Sequence, residues 1–261
     1  MQDLKALLWD VDGTLAETER DGHRVAFNLA FEAMDLPWRW NEARYGELLR
    51  ITGGRERLLH DMATRTDAPV LAGQREALAR ELHRLKNTIY ADIVRGGALP
   101  LRAGVAELMA DCREAGVRQA IVTTTSRSNL DALLTQHLGP RWADGFATLV
   151  CGEDVQRKKP DPEAYQLAVK ALALSPLQAV AIEDSPGGVA AARAADVPVL
   201  VVLSHYFADA IIDGAFAIGP GLDRRRGWRP ALGAGNGPEG RVTLADIAAW
   251  RTEMDSLSHP A

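Results

Sequence analysis

Cysteine is almost missing. Cys112 and Cys151 are the only two in 261 residues, and two scattered thiols exclude a disulfide framework. Cys112 falls on the apolar face of an expected helix and Cys151 closes an apolar run. Both read as buried free thiols in a reducing compartment. Long hydrophobic runs are missing too: nothing approaches the ~20 apolar residues that cross a bilayer. No signal-peptide pattern precedes the first apolar run, so the cytoplasm is the expected location. Basic blocks are also missing. Thirty Lys and Arg face 35 Asp and Glu, for a net charge of −5. Arg224-Arg225-Arg226 comes nearest to a basic patch and reads as a solvated loop. Neither nucleic acid nor a membrane is therefore an expected partner. No internal repeat is visible.

What is present is ordinary for a globular chain, with 47% hydrophobic and 25% charged residues. The length allows one large domain, or a domain carrying an insert. Short apolar runs at Ala6–Trp9, Gln119–Thr123, Phe146–Val150, Ala179–Ile182 and Pro198–Leu203 lack strict alternation. That is the pattern of strands covered on both faces. Between them run amphipathic stripes at helical spacing: Val105, Leu108, Met109, Cys112; Leu130, Leu133, Leu134, Leu138; Ala164, Leu167, Ala168, Ala171. Strand–helix alternation predicts an α/β fold with a doubly wound parallel sheet. The rhythm breaks after Trp9, because the next strand comes only near residue 119. Phe27, Ala30, Phe31 and Met34 form a helical stripe in between, 71–90 is a second helical segment, and Gly96-Gly97 with Pro100 mark a return. The expectation is a small all-helical insert over 16–97 in a core of 1–15 and 98–261. Residues 219–240, rich in Gly, Pro and Arg, are expected to form an irregular or partly disordered loop within that core. Thr243 is the expected N-cap of a short final helix.

Four places carry chemistry. Asp10-Val11-Asp12-Gly13-Thr14 follows the first strand, and ligands of open α/β sheets bind beyond the carboxyl ends of strands. Asp10 is suited to attack phosphorus. Asp12 is suited to protonate a leaving alkoxide and then activate water. The bland alternative is an Asp-Gly turn. Thr123-Thr124-Thr125-Ser126 ends the next core strand and offers hydroxyls and N–H groups to a phosphate at a helix start, or simply an ST-turn and N-cap. Lys159-Pro160-Asp161-Pro162 places a lysine on non-helical chain, where it can bridge a phosphate and a carboxylate; Lys158 competes for the role, and a surface lysine is the plain alternative. Glu183-Asp184-Ser185 closes a buried strand. Two adjacent buried acids are costly unless solvated or bound to a cation, and hard oxygens suit Mg²⁺.

Two acids, a hydroxyl cluster, a lysine and an acid pair, in this order over 10–184, resemble the haloacid dehalogenase superfamily, whose core is Rossmann-like. The early helical insert resembles the first-position cap of its β-phosphoglucomutase-like subfamily, and Glu183-Asp184-Ser185 resembles that subfamily's acidic motif. Leu15-Ala16-Glu17-Thr18-Glu19, His23, Ala26-Phe27-Asn28 and Ile51-Thr52-Gly53-Gly54-Arg55 resemble the CbbY group, which is similar to phosphatases acting on xylulose-1,5-bisphosphate, a Rubisco inhibitor. The resemblance implies Asp10 as nucleophile and Asp12 as acid/base. It implies Thr124, Thr125, Ser126 and Lys159 on the reacting phosphate, and Mg²⁺ on Asp10, the Asp12 carbonyl, Glu183 and Asp184. Glu17, His23, Arg50, Thr52, Gly53, Gly54 and Arg55 are implied on the rest of a sugar bisphosphate. A sugar phosphomutase on the same scaffold and a non-catalytic phosphometabolite-binding protein are the other readings. A monomer or weak dimer with a small sugar phosphate as its partner is expected. Residues 219–240 have no counterpart in the resemblance.

Overall fold

The computed structural model describes residues 4–230 and 239–258, with side chains as far as residue 252. Six parallel strands form one sheet: β1 Ala6–Trp9, β2 Arg118–Val122, β3 Thr148–Val150, β4 Ala179–Glu183, β5 Val199–Val202 and β6 Ala217–Gly219. Their order is β3-β2-β1-β4-β5-β6. The first strand is thus central, with Trp9 in register with Ile121 on one side and Ile182 on the other. Chain direction reverses its progress across the sheet at β1, which places the β1, β2 and β4 ends around the switch point where such sheets bind ligands.

The strands alternate between two cores. Leu7 and Trp9 join one hydrophobic cluster with Leu108, Leu133 and Trp250. Ala6 and Leu8 join the other with Tyr165, Ala168 and Val189. This period of two is what a covered strand must show. Helices α5 Val105–Glu114 and α6 Arg127–Leu138 cover the first face; α7 Glu163–Leu172 and α8 Pro186–Ala194 cover the second. Among the described residues no helix is long and apolar enough to cross a membrane.

Between β1 and β2 the chain is helical. A π-helical turn at Glu19–His23 leads into α1 Arg24–Ala33, followed by α2 Glu42–Leu48, α3 Gly54–Thr64 and α4 Ala72–Arg95. These helices gather a third cluster of their own around Phe27, Phe31, Trp40, Tyr45, Leu58 and Leu82. The two connecting segments cross side by side, with an antiparallel bridge between Ala16 and Leu101 and a bond from Arg102 N to Leu15 O of 2.8 Å.

Near the carboxyl end one element is new and two expectations change. The short strand β6 was not legible, since three residues after Asp213-Gly214 make no pattern. It forms the sheet edge, and an antiparallel bridge from Ile218 to Arg229 covers it, which removes an open pairing edge. The expected loop at 219–240 is partly ordered: Gly219 ends β6, Leu222 and Trp228 are buried, and the Trp228 ring stacks on Trp250 at 4.7 Å. Residues 231–238 of that loop lie outside the described residues. The final helix, α9 Leu244–Ser258, is longer than a short helix. Thr243 does cap it, in a reciprocal box: Thr243 N donates to Asp246 Oδ2 at 2.8 Å and Asp246 N to Thr243 Oγ1 at 3.4 Å.

Candidate active site

The site grows from the ends of β1 and β4. Asp10 continues β1 by one residue, its N–H bonded to Ile182 O at 3.0 Å. The chain then turns at once, with Thr14, Leu15 and Ala16 N–H groups all reaching Val11 O. Gly13 takes φ +88°, and a Cβ there would overlap the Asp184 carboxylate. Only glycine satisfies both the left-handed turn and that close approach.

Lys159 resolves the choice left open between two lysines. Its ammonium is buried and donates to Asp10 Oδ1 at 2.8 Å, Glu183 Oε1 at 2.6 Å and Val122 O at 2.7 Å. Tyr165 adds a hydroxyl bond to Glu183 Oε1 at 2.6 Å. Lys158 turns the other way, to Glu56 Oε1 of α3 at 2.8 Å. Asp184 is held by Ser204 Oγ at 2.6 Å. Oxygens of Asp10, Glu183 and Asp184 lie within 4.8 Å of one another, and all three residues are buried.

Three carboxylates therefore crowd together, and two of them, Asp10 and Glu183, share the one ammonium. Burial pushes Asp10 up to about 8, with Glu183 and Asp12 adding to the rise and Lys159 opposing it. Burial, with Asp10 and Glu183, drives Asp184 well above the carboxylate range, and the Ser204 bond opposes this. Lys159 moves upward despite its burial, because Asp10 and Glu183 favour its charge. Glu183 Oε2 is buried with no hydrogen-bond partner. A Cβ on Gly188 would overlap it. An all-oxygen triad with excess negative charge and an orphaned oxygen fits a hard divalent cation such as Mg²⁺.

Asp12 stands apart from this triad. Its Oδ1 accepts from Thr18 Oγ1 at 2.5 Å and contacts His23 Nε2 at 2.9 Å. Burial disfavours its charge, but the His23 contact, with Thr18 and Lys86, outweighs that and holds it at about 2. His23 in turn stacks on Tyr90 at 4.2 Å between centroids.

Two cavities share Asp12, Glu19, Gly53, Arg57 and Thr124 as walls. The larger, about 290 Å³, adds Asp10, Lys159, Asp184, Arg50 and Thr52. The smaller, about 110 Å³, adds His23, Gly54, Lys86, Thr125, Ser126 and Lys158. Most of the expected residues thus come together. Two do not. Glu17 accepts from His205 N at 3.2 Å, pairs with Arg102 at 3.5 Å and lines neither cavity. Glu19, two residues on, takes its place on both walls. Arg55 is exposed and lines neither, whereas Arg57 is buried and lines both. Positions two apart on a helix point about 200° apart. Ser126 spends its hydroxyl partly as the N-cap of α6, accepting from Asn129 N at 3.3 Å.

Lys86 was missed, although a signal exists. It falls in phase with Ala79, Leu82, Tyr90 and Val94 on the buried face of α4. Its ammonium sits 5.2 Å from both the Phe27 and the Tyr90 ring centroids, and burial pulls it down to about 8 against the charges of Asp12 and Glu19.

Residues 4–196 match the family model described as haloacid dehalogenase-like hydrolase. The chain belongs to the haloacid dehalogenase-like hydrolases. Within this family it is 40% identical to the plasmid-borne protein CbbY of Cupriavidus necator, over 84% of this chain and 86% of that one. It is 42% identical to CbbY of Rhodobacter capsulatus, over 78% of this chain and 87% of that one. The crystal structure of a CbbY mutant from Rhodobacter sphaeroides in complex with xylulose-(1,5)bisphosphate superposes with a TM-score of 0.75 at 37% identity, covering 81% of this chain and 92% of that one. As a haloacid dehalogenase-like hydrolase, the chain is an enzyme with a Rossmann-like core.

Proposed function

We propose that this hydrolase is a Mg²⁺-dependent phosphatase that removes one phosphate from a sugar bisphosphate, with xylulose-1,5-bisphosphate as the leading substrate. The observation that carries the reading is the pairing of two unlike carboxylates on one cavity wall: Asp10 bound to Lys159, and Asp12 bound to Thr18 and His23. The CbbY relatives, one of them in complex with this sugar bisphosphate, support the choice of substrate.

In this reading residues 16–97 are a cap over the core of 1–15 and 98–261. Lys159 fixes one oxygen of Asp10, and the other attacks phosphorus. The P–O bond to the sugar breaks as the P–O bond to Asp10 forms. Asp12 gives the leaving alkoxide its proton and is left as a carboxylate held by Thr18 and His23. The Asp12 carboxylate then takes a proton from water, which attacks the aspartyl-phosphate and frees Asp10. Thr124, Thr125 and Lys159 hold the reacting phosphate. Asp10, Glu183 and Asp184, with the Asp12 carbonyl, would hold Mg²⁺, whose charge would offset the repulsion between phosphate and the acids. Arg50, Arg57 and Lys86 bind the remote phosphate, and that binding keeps the cap shut against water during turnover.

The test is kcat/KM for xylulose-1,5-bisphosphate against xylulose 5-phosphate with Mg²⁺, in wild type, Arg50→Ala and Lys86→Met. The bisphosphate should lead by roughly a hundredfold or more, the scale of lost charge-assisted phosphate contacts, and both variants should erode the lead. Equal turnover of the two substrates, or an isomerised sugar phosphate in place of free phosphate, overturns the reading.

A further inference from the structure

Asp184 differs from the other two acids in what holds it. Asp10 and Glu183 both bind the Lys159 ammonium, and Glu183 also takes the Tyr165 hydroxyl. Among the described residues Asp184 has no cation partner, and its side-chain hydrogen bond comes from the buried Ser204. Ser204 lies just past the end of β5, and the residues after it engage other parts of the molecule in turn. The N–H of His205 reaches the Glu17 carboxylate at 3.2 Å, beside the crossing point of the connecting segments. The Tyr206 ring packs against Tyr45 of α2 at 5.8 Å, and a Cβ on Gly46 would touch that same ring. Phe207 lines the larger cavity together with Asp184.

We infer that Ser204 is a positioning residue that aims the Asp184 carboxylate at the metal, and that the 204–207 segment makes this aim depend on how the helical insert is seated. The inference rests on the Mg²⁺ reading of the acid triad. A hydroxyl donor fixes one carboxylate oxygen and leaves the other for coordination, the role that partners behind metal ligands perform. Rotation of the insert would move Tyr45 against Tyr206 and pull on Ser204 through two peptide units, so closure and metal affinity change together.

The experiment is calorimetric titration of the substrate-free enzyme with MgCl₂, in wild type, Ser204→Ala, Ser204→Thr and Tyr206→Ala. Ser204→Ala should weaken Mg²⁺ binding about tenfold, the scale of one lost hydrogen bond to a charged group. Ser204→Thr keeps the hydroxyl and should restore it. Tyr206→Ala, whose ring packs on the insert, should weaken binding about threefold by loosening the segment. If Ser204→Ala fails to fold, Ser204→Cys, a weaker donor, replaces it. Equal affinity in wild type and Ser204→Ala overturns the positioning role alone, as does a threonine variant as weak as the alanine one. Unchanged affinity in Tyr206→Ala overturns the link to the insert. A wild type that binds no Mg²⁺ overturns the proposed function and this inference with it.

Discussion

Asp10 and Asp12 are two residues apart and chemically opposite. Burial and a second acid hold Asp10 at about 8, while His23 and Thr18 hold Asp12 at about 2. A cation on the acid triad would lower Asp10 and leave it the attacking anion, and the negative charge of a substrate phosphate would raise Asp12 toward the protonated form that an acid needs. Asp10→Asn should abolish turnover and, in Mg²⁺-free buffer, leave the melting temperature equal to or above that of wild type, since it removes a group whose ionisation the fold disfavours. Asp12→Ala should slow both half-reactions, and rapid quench with labelled substrate should catch phosphorylated enzyme if dephosphorylation suffers more. Activity above a few per cent in Asp10→Asn would rule out the covalent route, and unchanged turnover in Asp12→Ala would remove Asp12 from it.

Helix α3 shows what an element decides. It begins beside Gly53, which takes φ +94° and whose missing side chain leaves the space that Glu56 and Lys158 occupy. The Lys158–Glu56 pair is half-buried and ties the insert to the core at the rim of the smaller cavity. A bond from Asn129 Nδ2 of α6 to Asn87 Oδ1 of α4, at 3.1 Å, does the same nearby. Single reversals, Lys158→Glu or Glu56→Lys, should each lower kcat/KM roughly fivefold, and the double reversal should regain most of the loss. The check is a double-mutant cycle on steady-state kinetics. A double variant as poor as the sum of the singles would mean that the pair does not hold the two parts together.

At the scale of the whole molecule, the insert's cavity wall makes the enzyme sensitive to acid. Burial lowers His83 to about 4, and the neighbouring Lys86 and Lys158 add to the effect. Between about 6.5 and 4 the unfolded chain takes up a proton that the folded chain resists, so this group makes stability fall as pH falls through that window. Asp10 slopes the other way, its raised value making the folded state bind more protons between about 4 and 8. The decisive measurement is therefore the difference between His83→Gln and wild type in chemical denaturation from pH 7 to 4. The variant should lose less stability on acidification, by at most a few kcal/mol. Parallel curves would show that His83 titrates freely in the folded protein.

Five strands, the helical interruption after Trp9 and the acids at strand ends were legible from the chain alone. Each depends on spacing along the backbone: continuous apolar runs for covered strands, three-to-four spacing for helices, and a motif fixed to the end of a run. The strand β6 was not, because three residues at an edge are held by pairing with Val199–Val202 rather than by their own pattern. Nor was the ordering of Trp228, which depends on a stack with Trp250 across a gap in sequence. The acids and a lysine at 158 or 159 could be expected near one another from the sequence, because strand ends converge in any sheet of this topology. That Glu19 and Arg57 line the cavities while Glu17 and Arg55 do not, and that Lys158 pairs with Glu56, came only from tertiary structure. There the phase of a helix and the approach of one unit to another decide which of two like side chains faces inward, and composition at neighbouring positions is blind to both.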